Sequence, residues 1–193
     1  RIGAKYLKGA IGYGGPCFPR DNVALAALAR SIGANPDLAE ATDRVNRYQI
    51  ERVLGAVLSR MQGPGVVGIL GLSYKPDTAV IEESQGVALA ERLLEEGHEV
   101  VAYDPKALGA AQSRLRGRLL GAESAEACVR QADLIVVMTP WPVFRSLAPA
   151  AFEKPSRRIA VVDCWRILPA EVRRVADLVY IGRTEAVATA NAV

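Results

Sequence analysis

The pattern of apolar positions changes at Gly63-Pro64-Gly65, a strong break in regular secondary structure. Before this break, apolar residues recur about every 3.6 positions, which is typical of amphipathic helices. The first such stretch contains Val23, Leu25, Leu28 and Ile32. The second begins at Asn35-Pro36-Asp37, where a good N-cap residue precedes a proline, and it continues to the break. The pattern therefore predicts two helices, the second about 39 Å long.

The long helix carries one apolar stripe, formed by Leu38, Ala41, Val45, Tyr48, Val53, Val57 and Met61. A helix of this length is longer than one small domain covers. We therefore expect it to pass between domains or to lie in a subunit interface. The alternative is an ordinary core helix.

Beyond the break, short apolar runs alternate with helical stretches. Strands are predicted at 66–72, 99–103, 134–138 and 159–162, with a weaker one at 178–181. Helices are predicted at 84–97 and 123–131. This alternation indicates an α/β fold: a Rossmann-like, mainly parallel sheet with helices on both faces. We predict a helical segment at 1–63, the sheet domain at 66–183 and a frayed tail at 184–193.

Composition excludes several classes of protein. Half of the 193 residues are hydrophobic, which is enough for a real core, and the net charge of +3 comes without any basic run suited to nucleic acid. Cys17, Cys128 and Cys164 fit neither a disulfide framework nor a metal cluster, and they suit a reducing cytoplasm. We predict no membrane span. Because the chain starts with Arg inside a patterned segment, we expect a piece of a longer protein.

The most unusual stretch is Gly12-Tyr-Gly-Gly-Pro-Cys-Phe-Pro-Arg-Asp-Asn22, just before the first helix. Its glycines and prolines predict a tight loop that turns into the helix at Cys17, with Pro19 in the first turn. Helix N-termini favour a thiolate, Arg20 adds positive charge, and Asp21 follows one turn later. These features favour a reactive thiol, although a structural cysteine in an ordinary loop remains the alternative. Cys128 and Cys164 fall in apolar stretches and are predicted to be structural.

The first predicted strand of the sheet lacks a dinucleotide-binding fingerprint. Its glycines stand as Gly68-Ile-Leu-Gly71, without the Gly-x-Gly-x-x-Gly that lets a backbone approach a pyrophosphate. Aromatic and cationic residues follow the strands instead: Tyr74, Lys75, Trp141, Trp165 and Arg166. Such a rim suits a planar base and a diphosphate, by stacking and charge pairing. Asp104 and Thr139, also at strand ends, are interpreted as capping or turn residues.

Several of these segments resemble one family. Residues 1–21, with Gly-Tyr-Gly-Gly-Pro-Cys-Phe-Pro-Arg-Asp, resemble the active-site cysteine segment of the UDP-glucose/GDP-mannose dehydrogenases. Gly-Leu-Ser-Tyr-Lys-Pro-Asp-Thr at 71–78 is similar to the family's nucleotide-binding segment. Tyr103-Asp-Pro, Thr139-Pro-Trp and Val162-Asp-Cys-Trp-Arg fall at the family's spacing as well. The resemblance extends to about residue 183.

The resemblance implies an NAD-dependent, four-electron oxidation of the C6 alcohol of a UDP- or GDP-sugar to the uronic acid. It implies that Cys17 forms a thiohemiacetal and then a thioester, and that Asp21 helps the hydrolytic water. It assigns the substrate to Arg1, Lys5, Tyr6, Lys8, Gly14, Phe18, Tyr74, Lys75, Trp165 and Arg166. Arg20 would face the phosphates of NAD, which binds mainly to a preceding domain, so this piece alone is expected to be inactive. A homodimer or higher homo-oligomer is implied.

Some positions depart from the family pattern. Pro16 stands where serine is common, Val80 and Glu82 replace a common Asp and Arg, and Trp165 stands where arginine is frequent. These departures suggest a divergent branch. Two other functions stay open: a non-catalytic nucleotide-binding module, and a cysteine acyl-transfer enzyme. The latter needs a histidine near the thiol, and the only histidine is His98.

Overall fold

The computed structural model describes residues 3–4, 9, 11–61 and 63–182. The predicted substrate residues Arg1, Lys5, Tyr6 and Lys8, and the predicted tail at 184–193, lie outside the described residues. The helices are α1 Phe18–Ser31, α2 Asp37–Leu58, α3 Gln85–Glu95, α4 Leu108–Arg114, α5 Ala125–Gln131 and α6 Pro142–Arg145. The strands are β1 Val66–Leu70, β2 Glu99–Tyr103, β3 Leu120–Gly121, β4 Leu134–Val137, β5 Ala160–Asp163 and β6 Asp177–Tyr180. Short 3₁₀ turns cover Pro149–Phe152 and Ala170–Arg174.

The six strands form one parallel sheet in the order β3-β2-β1-β4-β5-β6. The order reverses direction between β1 and β4, as in doubly wound Rossmann folds. One face of the sheet is covered by α2, α3 and α4, and the other by α5, α6 and the two 3₁₀ turns. The predicted α/β class, with a parallel sheet and helices on both faces, is confirmed.

Local signals account for most element ends. Pro19 lies in the first turn of α1, and the Ser84 side chain caps α3 by accepting a hydrogen bond from the Val87 amide at 3.4 Å. Strand β1 ends at Leu70, two residues earlier than predicted, because Gly71 turns the chain with a φ of 102°. The short elements β3 and α6 were not predicted, since two and four residues are too few to show a period, and α4 was not predicted either.

Helix α2 packs in two different ways along its length. In its second half, Val53, Leu54 and Val57 join the core beneath the sheet, and Glu51 pairs with Arg92 of α3. The first half contacts α1, and its apolar side chains largely face outward. Seven of the apolar residues predicted as packing positions are exposed in the described chain, namely Val23, Leu25, Leu28, Ile32, Leu38, Val45 and Tyr48. Small residues make the α1–α2 contact instead, because Ala26 and Ala39 are buried there.

None of the helices in the described part of the chain combines the length and the apolarity that crossing a membrane requires.

Candidate active site

Asp104, directly after β2, organises the carboxyl edge of the sheet. One carboxylate oxygen accepts hydrogen bonds from the backbone amides of Leu72 and Ser73, at 2.7 and 2.9 Å, and from the Ser73 hydroxyl at 3.0 Å. The other oxygen accepts from the amides of Lys106 and Ala107. Burial alone would raise the pKa of Asp104, but these backbone amides more than offset it and lower the pKa. The carboxylate therefore stays charged while buried.

Residues after β4 complete this arrangement. The indole N–H of Trp141 lies 3.0 Å from both Ser73 Oγ and Asp104 Oδ2, and the Thr139 hydroxyl donates to the Ser73 carbonyl at 2.6 Å. Asp104, Ser73, Thr139 and Trp141 are all buried. We call this set the Asp104 cluster. The structure supports the interpretation of Asp104 and Thr139 as capping and turn residues, but it removes Trp141 from the predicted exposed rim.

The Asp104 cluster occupies the crevice where a Rossmann fold normally binds a dinucleotide. That crevice lies at the carboxyl ends of β1 and β4, where the strand order reverses. A side chain at Gly71 would collide with the Thr139 backbone nitrogen at 2.6 Å, so the two strand ends are in tight contact. The residues of this sheet therefore do not fit an NAD molecule in the usual Rossmann position.

Trp165 and Arg166 lie beyond β5 and are held by a second buried aspartate. Asp163 accepts hydrogen bonds from the backbone amides of Trp165, Ile167 and Leu168 at 2.8–3.0 Å. The half-buried Trp165 donates its indole N–H to the Met138 carbonyl. Arg166 is exposed with a positive φ of 55°, and its guanidinium lies 5.6 Å from the Tyr180 ring centre. Trp165 can therefore contact a ligand with its ring but not with its indole N–H, and Arg166 presents an exposed positive charge.

Tyr74 and Lys75 follow β1 at the same edge of the sheet. Lys75 is exposed, and its Nζ lies 5.4 Å from the centre of the Tyr74 ring. Only β4 separates β1 from β5, so the two strands are about 10 Å apart. The fold thus places the predicted pairs Tyr74–Lys75 and Trp165–Arg166 at the same edge of the sheet, two strands apart.

The loop that contains Cys17 is anchored to α2 by one side chain. Asn46 accepts a hydrogen bond from the Tyr13 amide at 2.7 Å and donates one to the Tyr13 carbonyl at 2.9 Å. Asn46 is buried although it lies in the middle of a helix. The Tyr13 hydroxyl is buried without a hydrogen-bond partner among the described residues, and burial together with the nearby Asp43 raises the pKa of Tyr13. The loop is therefore fixed through its backbone.

The other side of the loop packs against the segment that follows Tyr74. The Gly15 amide donates to the Glu82 carbonyl at 2.9 Å. A Cβ at Gly14 would lie 2.2 Å from the Glu83 carbonyl oxygen, and one at Gly15, whose φ is +87°, would lie 2.6 Å from the Tyr74 ring. Only glycine allows both approaches. The cysteine loop and the rim of the sheet are therefore in direct contact.

Cys17 occupies the N-cap position of α1 and is exposed. One turn further, the Asp21 amide donates to the Cys17 carbonyl at 2.8 Å, while the Asp21 carboxylate pairs with Arg20 at 3.1 Å. Phe18 is 71% exposed and lies edge-on to the Tyr13 ring. The predicted catalytic and cofactor residues thus share one helical turn, but in this structure the Asp21 carboxylate is bound to the guanidinium.

A cavity of about 640 Å³ adjoins this turn. It is lined by the loop and the start of α1, by Ile81, Glu82 and Glu83, and by Arg47 and Arg114. A larger cavity of about 810 Å³ lies at the opposite, amino ends of the strands. Its arginines mostly support the fold: Arg158 binds three backbone carbonyls and Asp177, and Arg157 pairs with Asp133. The smaller cavity adjoins the Cys17 loop, and among the predicted site residues in the described chain Arg20 alone lines it.

The remaining titratable candidates are unsuited to catalysis. Cys128 and Cys164 are buried, and burial raises the pKa of Cys128 to about 12 and also raises that of Cys164. His98 is buried just before β2, at the opposite edge of the sheet from Tyr74, which argues against acyl transfer by a Cys–His pair. No cluster of potential metal ligands occurs within residues 11–61 and 63–182.

Sequence reasoning missed Asn46 and the contact between the loop and residues 82–83. A polar residue within a long amphipathic helix gives little signal, because solvent-facing positions carry the same residue types. The contact depends on backbone atoms of Glu82, which no residue type encodes.

Comparison with known proteins matches both parts of the chain to one family. Residues 68–170 match the UDP binding domain of the UDP-glucose/GDP-mannose dehydrogenase family, and residues 1–48 match its central domain. The UDP-glucose 6-dehydrogenase AglM of Haloferax volcanii is 38% identical over 169 residues, which are 87% of this chain and 39% of that protein.

Solved structures agree with this match. A UDP-glucose dehydrogenase from Pyrobaculum islandicum superposes with a TM-score of 0.78 at 31% identity, over 93% of this chain and 40% of that one. A GDP-mannose dehydrogenase from Pseudomonas aeruginosa, 24% identical, has the same fold with a TM-score of 0.77, over 92% of this chain and 41% of that one. The chain thus spans about two fifths of the length of these relatives. It belongs to the UDP-glucose/GDP-mannose dehydrogenase family.

Proposed function

We propose that this chain is the C-terminal part of a nucleotide-sugar 6-dehydrogenase, in which Cys17 carries the covalent chemistry and the rim of the sheet binds the nucleotide. The observation that carries the proposal is the contact of the Cys17 loop with Tyr74 and Glu82, which brings the thiol-bearing loop to the nucleotide rim. Neither part alone would suggest oxidation of a nucleotide-linked sugar.

Cys17 is suited to hold an oxidised sugar carbon. Its thiolate adds to a C6 aldehyde, whose oxygen takes up a proton, to form a thiohemiacetal, and loss of a hydride and a proton then gives a thioester. Water hydrolyses the thioester, which releases the carboxylate and regenerates the thiol. The exposure of Cys17, whose neighbour Pro16 lines the 640 Å³ cavity, supports this role. Asp21, one turn away, is proposed to activate the water once its pairing with Arg20 is broken.

The other roles follow from position. Lys75 and Arg166 are exposed cations at the rim and are proposed to bind the diphosphate, while Tyr74 and Trp165 supply ring surface for the base or sugar. Gly14 and Phe18, on either side of Cys17, are proposed to line the sugar site. Arg1, Lys5, Tyr6 and Lys8 are proposed to contact the substrate on the resemblance alone. The sugar nucleotide is a UDP- or GDP-sugar.

NAD⁺ is proposed to accept the electrons of both oxidations. Since the Asp104 cluster fills the Rossmann crevice, we propose that NAD⁺ is bound mainly by a domain outside this chain, and that this chain alone does not turn over. Arg20, on the exposed first turn of α1, is proposed to face the cofactor phosphates.

The assembly is proposed to be a homodimer or higher homo-oligomer in the cytoplasm. The outward apolar side chains of α1 and α2 support a subunit interface there, since exposed apolar patches of this kind commonly mark contacts between proteins. Three free cysteines, one of them exposed, suit a reducing compartment.

A second candidate is a nucleotide-binding module in which Cys17 is inert. The Asp104 cluster is compatible with this candidate, because the sheet and its loops build the rim without Cys17. Nucleotide binding at the rim is common to both candidates, and the reactivity of Cys17 separates them.

Calorimetric titration of the chain with UDP tests the nucleotide rim. We expect Lys75→Ala to weaken binding by about 1.5–3 kcal/mol, the scale of a hydrogen bond to a charged group. Arg60→Ala is the matched control, because it removes a cation from the 810 Å³ cavity at the opposite edge. Absence of binding at millimolar UDP would contradict the proposal, as would a larger effect of Arg60→Ala than of Lys75→Ala.

A further inference from the structure

Tyr74 lies between the Cys17 loop and the rim of the sheet, which gives it a role beyond binding substrate. Its ring lies against Gly15, two residues before Cys17, while its neighbour Lys75 faces the rim. Its backbone amide donates to the Val80 carbonyl at 3.1 Å, so Tyr74 opens the same loop that presents Glu82 to the Gly15 amide. Two residues of that loop, Asp77 and Glu83, have positive φ angles of 63° and 50°.

The Cys17 loop is therefore held between a fixed and an adjustable partner. The fixed partner is Asn46, whose side chain brackets Tyr13 from the middle of α2, a helix that packs into the sheet core. The adjustable partner is the irregular segment from Tyr74 to Glu83, which holds the loop by one backbone hydrogen bond, by the Tyr74 ring against Gly15 and by the close approach of the Glu83 carbonyl to Gly14. Loops with few buried contacts open locally at low free energy, so the second attachment is the one that a ligand can strengthen.

We propose that Tyr74 is a positioning residue for the Cys17 loop: nucleotide bound at the rim holds Tyr74 against Gly15 and so fixes the loop that carries the thiol. This inference rests on the proposed function, because it requires nucleotide at the rim. Binding energy from the nucleotide, remote from the reacting carbon, would then be used to order the residue that reacts.

Gly15 permits a test that leaves the rim residues in place. A Cβ at this position would lie 2.6–3.0 Å from three atoms of the Tyr74 ring, so Gly15→Ala forces the ring and the loop apart. Gly33 has a similar φ of +71° with nothing within 4 Å of a built Cβ. Gly33→Ala therefore introduces a comparable backbone strain without the contact, and it serves as the matched control.

The experiment combines UDP titration with hydrogen exchange of the peptide amides at 12–17. We expect saturating UDP to slow exchange of these amides about threefold or more in the wild-type chain, in Gly33→Ala and in Tyr74→Phe, which retains the ring. In Gly15→Ala and Tyr74→Ala the protection should be lost even at saturating UDP. A purely structural role would change exchange equally with and without UDP.

The outcomes separate the two proposals. If UDP binds and the amides at 12–17 are not protected, the positioning role is wrong while the nucleotide rim stands. If protection persists in saturated Gly15→Ala or Tyr74→Ala, the positioning role is also wrong. If no UDP binds to the wild-type chain, both proposals fail together.

Discussion

The parallel sheet with the helices that cover it, which we call the sheet unit, differs from the α1–α2 pair. The two regions differ in how many of their large apolar side chains the chain itself covers. Ten large apolar side chains are exposed in the described residues, and all but Leu120 and Val143 lie on α1, α2 or the turn that ends α1. In the sheet unit, the buried carboxylates of Asp104 and Asp163 accept hydrogen bonds on both oxygens. The sheet unit therefore satisfies these buried carboxylates within the chain, whereas the helical pair leaves large apolar side chains exposed.

The three cysteines offer the largest measurable contrast between the regions. Cys17 is exposed on the helical side, while Cys128 and Cys164 are buried in the sheet unit with raised pKa values. We expect iodoacetamide at neutral pH to label Cys17 roughly a thousandfold faster, because the buried thiols react only after local opening. Mass spectrometry of the labelled peptides measures this.

Labelling in denaturing urea serves as the control, since the three rates should then converge. Faster labelling of Cys128 or Cys164 than of Cys17 in the folded chain would argue strongly against the catalytic assignment.

The Asp104 cluster should be the most sensitive point of the sheet unit. Asp104→Ala leaves several buried donors without an acceptor, and we expect a loss of about 3 kcal/mol or more in the free energy of unfolding. Asp177→Ala is the control, because its exposed pair with Arg158 is worth about 1 kcal/mol or less. Urea unfolding followed by circular dichroism compares them, and equal losses would show that the cluster is not the organising feature.

The same cluster makes the sheet unit sensitive to acid. The pKa values of Asp104 and Asp133 are lowered in the folded chain, so their contribution to stability is present above the ordinary carboxyl pKa of about 3.9 and is lost as pH falls through the folded values. Unfolding free energies measured from about pH 5 to about pH 2 should therefore fall, and they should fall more shallowly in Asp104→Asn, which has one such carboxylate fewer. Identical slopes for the two proteins would refute this.

The smallest expected effect concerns the helical pair. Leu38 is 82% exposed and lines an apolar groove of about 490 Å³ between α1 and α2. If this surface is the subunit interface, Leu38→Lys should weaken self-association about tenfold or more, because a charge would be buried there. Val143→Lys, at an exposed apolar position of the sheet unit, should leave it unchanged. Sedimentation velocity over a range of concentrations decides, and an unaltered association in Leu38→Lys would exclude this face.

Local patterns determined the secondary structure and the location of the candidate chemistry. Periodicity and caps predicted α1, α2, α3 and α5, and apolar runs predicted every strand except the two-residue β3. The glycines and prolines around Cys17 predicted its loop, and the missing fingerprint at Gly68–Gly71 agreed with the crevice that the structure fills. These signals lie within a few neighbouring residues, so a single sequence contains them.

Tertiary structure alone decided which surfaces meet. The contact of Gly15 with Tyr74 and Glu82 joins residues about 60 positions apart through a ring face and a backbone carbonyl, neither of which residue type specifies. The same holds for Trp141, which sequence reasoning placed on the rim and the fold buries against Asp104. The exposed apolar stripe of α2 is a further case. Periodicity specifies that one face of the helix is apolar, but whether residues of this chain cover that face depends on how the helices pack.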